Sequence, residues 1–164
     1  MKYLPFEKYT LSILISPEEA KRRLLDNLEP ERNVLYIMKN STKPYTGTIS
    51  ADGFAISRII RYRNSFLPVI KGRFMNDKNR TTVLITMRPP IFVLIFMSIW
   101  TSGVLLACVA TLAVLIDPGK NKFSPAELIP FGMLLFGYGL VTIGFKTESI
   151  KSKKFLSDLF DGNE

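Results

Sequence analysis

A run of 26 residues, Ile91–Ile116, contains no charged side chain, and no other stretch limits the possible folds of this chain so strongly. Pro89 and Pro90 precede the run, and Asp117, Pro118 and Gly119 follow it, which is typical of a helix start and of a turn. A helix of this length can cross the hydrocarbon core of a bilayer, whereas helices of soluble proteins rarely continue so far without a polar stripe. The run therefore predicts a transmembrane helix.

A second uncharged run, residues 128–145, lies between Glu127 and Lys146. Its length is near the lower limit for crossing a bilayer, so a buried helix of a soluble core is the alternative interpretation. Because the connection between the two runs is short, we expect a transmembrane hairpin over residues 91–145, with helices at 91–116 and 128–145. Residues 1–90 then form a domain that precedes the hairpin in the sequence, and residues 146–164 form a tail that follows it.

The charge distribution predicts the orientation of this hairpin. The net charge of the chain is +8, and all of the excess lies in residues 1–90, because the charges of the later segments cancel. Lys and Arg that flank a span tend to stay on the cytoplasmic side, and they are dense before the first run and after the second. We therefore expect an integral membrane protein with both termini in the cytoplasm.

Residues 1–90 show the pattern of a small α+β domain. Tyr9, Leu11 and Ile13 alternate with polar residues, which indicates a half-buried strand over residues 6–15. Ser16 and Pro17 then provide an N-cap and a first-turn proline for a helix that ends before Pro30. Short connections predict an antiparallel β-sheet with this one covering helix. The further strands are predicted at residues 34–39, 46–50, 54–63, 66–75 and 81–88.

The tail after the second run has the composition of a short amphipathic C-terminal helix. Apolar residues such as Ile150, Leu156 and Phe160 are interleaved with lysines. Such a helix could lie on the bilayer or dock on the sheet of its own chain, and docking is the preferred interpretation.

Five basic residues of the predicted sheet form a candidate binding surface. Arg61 and Arg63 share a face of one predicted strand, and Lys71 and Arg73 share a face of the next. Three interpretations are open: a solvated sheet face, a contact with anionic lipid headgroups, or a contact with an acidic protein partner. No nucleic-acid motif is present, and we expect no nucleic-acid partner. The candidate lipid- or partner-binding residues are Arg58, Arg61, Arg63, Lys71 and Arg73.

Small residues of the two apolar runs are candidates for helix packing, because close approach of helix backbones favours them in lipid. Gly103, Ala107 and Thr111 recur on one face of the first run. In the second run Gly132 and Gly139 share one face and Gly137 and Gly144 share another. The first three residues with Gly132 and Gly139 are predicted to close the hairpin. Gly137 and Gly144 are predicted to face another copy or a foreign subunit.

Nothing in the sequence indicates catalysis. The chain has no histidine, its one cysteine, Cys108, lies inside the first apolar run, and no metal or cofactor motif is present. Neither apolar run holds an ionisable side chain of the kind that proton-coupled transport uses. We therefore expect no enzyme, no catalytic residue, no cofactor, no metal and no small-molecule substrate.

Two functions follow as hypotheses. The first is a membrane-anchored accessory subunit that presents a basic, β-rich cytoplasmic module to a larger membrane complex or to anionic lipid headgroups. The alternative is a homo-oligomeric two-helix channel or transporter component. In its general plan, a β-rich module joined to a two-helix hairpin resembles the membrane-anchored PH-like proteins of bacteria, which implies a bacterial inner (plasma) membrane. The resemblance carries no individual residues across.

Overall fold

The computed structural model describes residues 4–29, 41–77, 80–116 and 124–162. It is an α+β structure that separates into two compact units: Met1–Pro90 with Gly144–Glu164, called here the sheet unit, and Ile91–Ile143, called here the helix unit. The strands are β1 (Glu7–Ile13), β2 (Leu28–Glu29), β3 (Tyr45–Ile49), β4 (Gly53–Arg58), β5 (Val69–Asp77) and β6 (Arg80–Arg88). The described helices are α1 (Pro17–Asp26), α2 (Ile91–Ile116) and α3 (Ile129–Phe160), the last preceded by a 3₁₀ turn at Pro125–Leu128.

The six strands form one mixed sheet in the order β1-β6-β5-β4-β3-β2. Every neighbouring pair is antiparallel except β2 and β3, which run parallel through Leu28 and Tyr45. The prediction of an antiparallel sheet is confirmed for four of the five neighbouring pairs. It is wrong at this edge, where the chain passes from α1 directly into the short strand β2. The predicted strand at 34–39 lies outside the described residues.

One predicted hairpin has different bounds in the structure. The strands predicted at 54–63 and 66–75 are observed as Gly53–Arg58 and Val69–Asp77, so residues 59–68 are a loop rather than strand ends joined by a tight turn. The change matters because Arg61 and Arg63 lie in this loop. They therefore do not share a strand face.

Helix α1 begins as its sequence predicts. The Ser16 hydroxyl accepts a hydrogen bond of 3.2 Å from the Glu19 backbone N–H, and Pro17 occupies the first turn. Ala20 and Leu24 are buried on the helix face that meets the sheet, against Leu11 and Ile13 of the same core. The cap and the apolar stripe together place α1 on one face of the sheet.

The carboxyl-terminal half of α3 completes the core of the sheet unit. Phe145, Leu156 and Phe160 are fully buried there, and the Phe155 ring stacks on Tyr45 with 4.3 Å between ring centroids. These positions recur at helical spacing, so one stripe of α3 covers the sheet beside α1. The short amphipathic helix predicted for the tail is the carboxyl-terminal part of α3, continuous with the second apolar run, and it is packed on the sheet.

The helix unit exposes most of its apolar surface. Helix α2 and the segment Pro125–Phe160, which consists of the 3₁₀ turn and α3, are each long and apolar enough to cross a membrane. Only 17% of the most apolar stretch of each is buried. The buried residues of α2 are Val93, Val104 and Cys108, which lie on one face. The large exposed side chains include Phe92, Ile99, Leu106, Leu135 and Ile143.

Candidate functional site

A buried carboxylate, Glu148 of α3, is the centre of a charged cluster in the sheet unit. Its side chain is fully buried, and Arg58 at the end of β4 donates a hydrogen bond of 2.6 Å from Nη1 to its Oε2. Its Oε1 accepts hydrogen bonds from the Tyr62 hydroxyl and, at 2.8 Å, from Lys151 Nζ. A buried charge is tolerated only when it is paired and hydrogen-bonded, and here both oxygens are satisfied.

The surroundings of Glu148 shift the pKa values of the cluster. Burial by itself raises the pKa of the Glu148 carboxyl, but the hydrogen bonds from Lys151, Tyr62 and Arg58 together lower it below its ordinary value. The bond to Glu148 and partial burial raise the pKa of the Tyr62 phenol. The bond to Glu148 also raises the pKa of Lys151. Near neutral pH the cluster therefore holds an ionised carboxylate, a protonated phenol and two cations.

The loop that follows β4 is attached to α3 at two points, and we call residues 59–68 the anchored loop. The Tyr62 hydroxyl donates to Glu148, and Asn64 Nδ2 donates to the backbone oxygen of Gly144 at 2.9 Å. Gly144 and Glu148 are about one helical turn apart. Two successive turns of α3 therefore accept hydrogen bonds from Asn64 and Tyr62 of the loop. Asn64 Oδ1 also accepts a hydrogen bond of 3.0 Å from the Phe66 backbone N–H. These bonds order a segment that has no strand partner of its own.

Gly144 permits this attachment because it lacks a side chain. A Cβ at position 144 would lie 2.9 Å from Phe66 Cδ2 and 3.2 Å from Asn64 Oδ1, closer than ordinary van der Waals contact. Gly144, predicted from the sequence to face a partner, thus contacts the anchored loop of its own chain.

A groove of about 380 Å³ lies beside the anchored loop. Its apolar lining consists of Ile59, Ile60 and Leu67, and the Arg63 side chain also lines it. The Thr46 side chain also lines it, and the Thr46 hydroxyl is buried with no hydrogen-bond partner within the described part of the chain. The groove therefore joins an apolar wall to a basic side chain.

The five predicted basic residues lie in three different places. Arg58 is held by Glu148, Arg61 and Arg63 are exposed in the anchored loop, and Lys71 and Arg73 are exposed on one face of β5. The structure therefore groups Arg61 with Arg63 and Lys71 with Arg73, and it sets Arg58 apart as an internal partner. Within the described ranges, Arg61, Arg63, Lys71 and Arg73 form no ion pair.

A second basic groove, of about 580 Å³, lies on the sheet face that is not covered by α1 and the carboxyl-terminal half of α3. Lys71 and Arg73 line it together with Arg88 of β6, which the sequence analysis did not select. Arg88 pairs in register with Val69, two residues from Lys71, so the three cations lie on neighbouring strands. The rest of the polar lining consists of one carboxylate, Asp52, and the hydroxyl groups of Thr48, Ser50 and Thr86.

Within the helix unit, one glycine lies at a contact between helices. A Cβ at Gly137 of α3 would overlap the Trp100 ring of α2. By contrast, a Cβ at Gly103, Gly132 or Gly139 would have no neighbour within 4 Å. The structure thus places Gly137, predicted to face a partner, inside the helix pair, because the large indole ring fits only where a side chain is missing.

The other small residues predicted to close the hairpin lie on an open face. Ala107 is exposed, and the half-buried Thr111 donates its hydroxyl hydrogen to the Ala107 backbone oxygen at 2.9 Å. Buried Val104 and Cys108 occupy the adjacent face of α2. The faces of Gly103, Gly132 and Gly139 are therefore unoccupied within the described chain, and their role in contacts with another chain stays a prediction.

Sequence reasoning missed the Glu148 cluster, although a signal for it exists. Arg58 has the same strand parity as the buried Phe54 and Ile56, and Glu148 is in helical register with Phe145 and Ser152. Two opposite charges at inward-facing positions indicate a buried pair. The tail was recognised as amphipathic, but Glu148 was not assigned to its buried face.

The comparisons with known proteins leave the site to be interpreted from its geometry. Within the described ranges, no group of three or more Cys, Asp or Glu side chains could hold a metal ion. No protein-family model, curated protein or solved structure matches the chain.

Proposed function

We propose that this protein is a membrane-anchored accessory subunit without a catalytic role. Helix α2 and the apolar part of α3 cross a bacterial inner membrane, both termini face the cytoplasm, and the sheet unit presents basic side chains to a larger membrane complex or to anionic lipid headgroups. The proposal assigns anchoring to the helix unit and recognition to the sheet unit.

The exposed apolar surface of the helix unit is the observation that carries this proposal. Side chains such as Phe92 and Leu106 of α2 and Leu135 of α3 are each more than 65% exposed. Helix α2 has no charged residue along its whole length, Ile91–Ile116. A contiguous apolar surface of this kind is unfavourable in water and favourable in hydrocarbon. The sheet unit, in contrast, has a buried apolar core of its own.

The unpaired cations of the sheet unit support its role in recognition. Arg61, Arg63, Lys71, Arg73 and Arg88 lie at grooves or in exposed positions, and the part of the chain that the structure describes offers them no ion-pair partner. Basic side chains next to a membrane attract anionic lipid, and basic surfaces in general attract acidic partners.

Purification from native membranes in a mild detergent tests the proposal. We expect other chains to co-purify in a fixed ratio, or anionic lipid to be retained in excess over its share of the membrane. A variant with Lys71→Gln and Arg73→Gln should lose part of this material. A symmetric ring of this chain alone that conducts ions in a planar bilayer would support the channel alternative and contradict the accessory role.

A further inference from the structure

We propose that the anchored loop binds one anionic phospholipid, with the phosphate between Arg61 and Arg63 and the first part of the acyl chains in the groove of Ile59, Ile60 and Leu67. The inference rests on the proposed membrane anchoring and names the ligand class of one basic site. It concerns residues 59–68 and the groove beside them, which shares no lining residue with the basic groove of Lys71 and Arg73.

The anchored loop is attached to α3 at the end of the apolar part of that helix. Asn64 is bonded to the backbone of Gly144, and the first charged residue of α3 is Lys146, just after the apolar part of the helix. A helix rises 1.5 Å per residue, so Asn64 is held within a few ångströms of the point where apolar side chains give way to charged ones. In a spanning helix this point lies at the level of the lipid headgroups.

The positive charge of the anchored loop is carried by an ordered stretch of backbone. Arg61 and Arg63 are exposed on either side of Tyr62, whose hydroxyl is fixed by the buried Glu148. Because Tyr62 and Asn64 are both bonded to α3, the backbone between the arginines is ordered before any ligand arrives, which lowers the entropy cost of binding. Guanidinium groups donate two parallel hydrogen bonds to a phosphate, a geometry that lysine does not provide.

The groove beside the anchored loop has a composition that favours a lipid over a peptide. It combines an apolar wall with the basic side chain of Arg63, and its volume of about 380 Å³ is in the range of small-molecule sites. A phospholipid has the matching arrangement, since its phosphate is adjacent to hydrocarbon. An acidic peptide carries its charges on side-chain carboxylates attached to a polar backbone. It would leave the apolar wall of Ile59, Ile60 and Leu67 without a matching hydrocarbon surface.

Lipid titration of the full-length protein in mild detergent tests this inference. We would add dioctanoyl phosphatidylglycerol and follow binding by native mass spectrometry, with dioctanoyl phosphatidylcholine as the zwitterionic comparison. The test variant carries Arg61→Gln and Arg63→Gln. The matched control carries Lys8→Gln and Lys154→Gln, at exposed positions that line neither groove, so both variants lose the same charge. Circular dichroism of both variants verifies that the fold is retained.

The inference predicts that the wild-type protein binds a single phosphatidylglycerol. The loop variant should bind it at least about tenfold more weakly, since each cation near a lipid phosphate favours binding. The affinity of the control variant should change by less than about twofold. Glycerophosphate without acyl chains should bind neither protein. Equal losses in the two variants, equal binding of both lipids, or binding of glycerophosphate would each overturn the inference. A Tyr62→Phe variant gives a second test, because it keeps both arginines and should still weaken binding by freeing the loop.

Failure of the inference can be separated from failure of the membrane proposal. If the protein stays in the membrane pellet after carbonate extraction but shows no loop-dependent lipid binding, only the assignment of the lipid site is wrong. If carbonate releases the protein, the anchoring itself is wrong.

Discussion

Glu148 combines complete burial with an ionised side chain, and its three donors come from β4, the anchored loop and α3 itself. Removing one member of such a cluster leaves the others without the partner that compensates for their loss of hydration. The stability of the sheet unit should therefore depend strongly on this one carboxylate.

Replacing Glu148 by Ala should lower the free energy of unfolding by about 2 kcal/mol, less than for a completely buried pair because Arg58 and Lys151 are partly exposed. The control is Asp158→Asn, at an exposed position of the same helix. Thermal unfolding in detergent, followed by circular dichroism, measures the difference. Equal midpoints for the two variants would show that the cluster contributes nothing.

The pH dependence of stability should also change at this residue. The pKa of Glu148 is lowered in the folded state, so its contribution is complete above the ordinary glutamate pKa and is lost as the pH falls through the folded value. The pKa of Glu19 is also lowered, to about 2, by hydrogen bonds from Arg22 and Arg23, so these solvent-screened ion pairs weaken in acid as well.

We therefore expect wild-type stability to fall as the pH is lowered below about 5, and to fall less steeply in a Glu148→Gln variant. Unfolding midpoints in detergent at intervals of half a pH unit provide the measurement. Parallel curves for the two proteins would contradict the assignment of an ionised Glu148.

Among the elements, the pair of α2 and α3 depends on one close approach. The Trp100 ring occupies the space that a side chain at Gly137 would need, whereas Gly132 of the same helix has open space around it. The two glycines therefore form a natural comparison between an internal contact and a free face.

Gly137→Leu should destabilise the helix unit by about 1–3 kcal/mol, the usual cost of overpacking, and Gly132→Leu should leave it unchanged. The fraction of monodisperse protein after heating in detergent compares the variants. If Gly132→Leu instead alters the oligomeric state while the monomer stays folded, the open glycine face is an interface with another chain.

The sequence predicts those parts of the elements that depend on local patterns. The α1 cap, the alternation of β1 and the long uncharged helix are all visible in short windows, because each follows from neighbouring residues. The anchored loop is not visible in this way, because its order comes from bonds to Gly144 and Glu148, about eighty residues later in the chain. The division of α3 between an exposed apolar half and a half buried on the sheet is a tertiary effect of the same kind.

For the complete chain, the decisive feature is that its last helix belongs to both units. Residues of α3 up to Ile143 are in the helix unit, and residues from Gly144 onward help to form the core of the sheet unit. The core of the sheet unit therefore requires residues from both ends of the sequence, and residues 1–90 alone lack three of its largest buried side chains.

Leu156→Ala should accordingly destabilise the sheet unit by about 2–5 kcal/mol, since it removes buried methyl groups from the middle of the core. Ile150→Ala, at a position that is 62% exposed on the same helix, is the control and should have little effect. Limited proteolysis of the detergent-solubilised protein should cleave residues 1–90 faster in the first variant only. Similar cleavage rates would mean that the tail contact is dispensable.

Site-specific labelling in the membrane tests the proposed topology most directly. Replacing Cys108 by Ala removes the one native thiol, and single cysteines can then be introduced at Ser12, Lys120 and Lys154. In intact spheroplasts, a membrane-impermeant maleimide should modify the protein with Lys120→Cys, while those with Ser12→Cys and Lys154→Cys should react only after the membrane is opened. Labelling of Ser12→Cys or Lys154→Cys from outside intact spheroplasts would contradict a hairpin that keeps both ends of the chain in the cytoplasm.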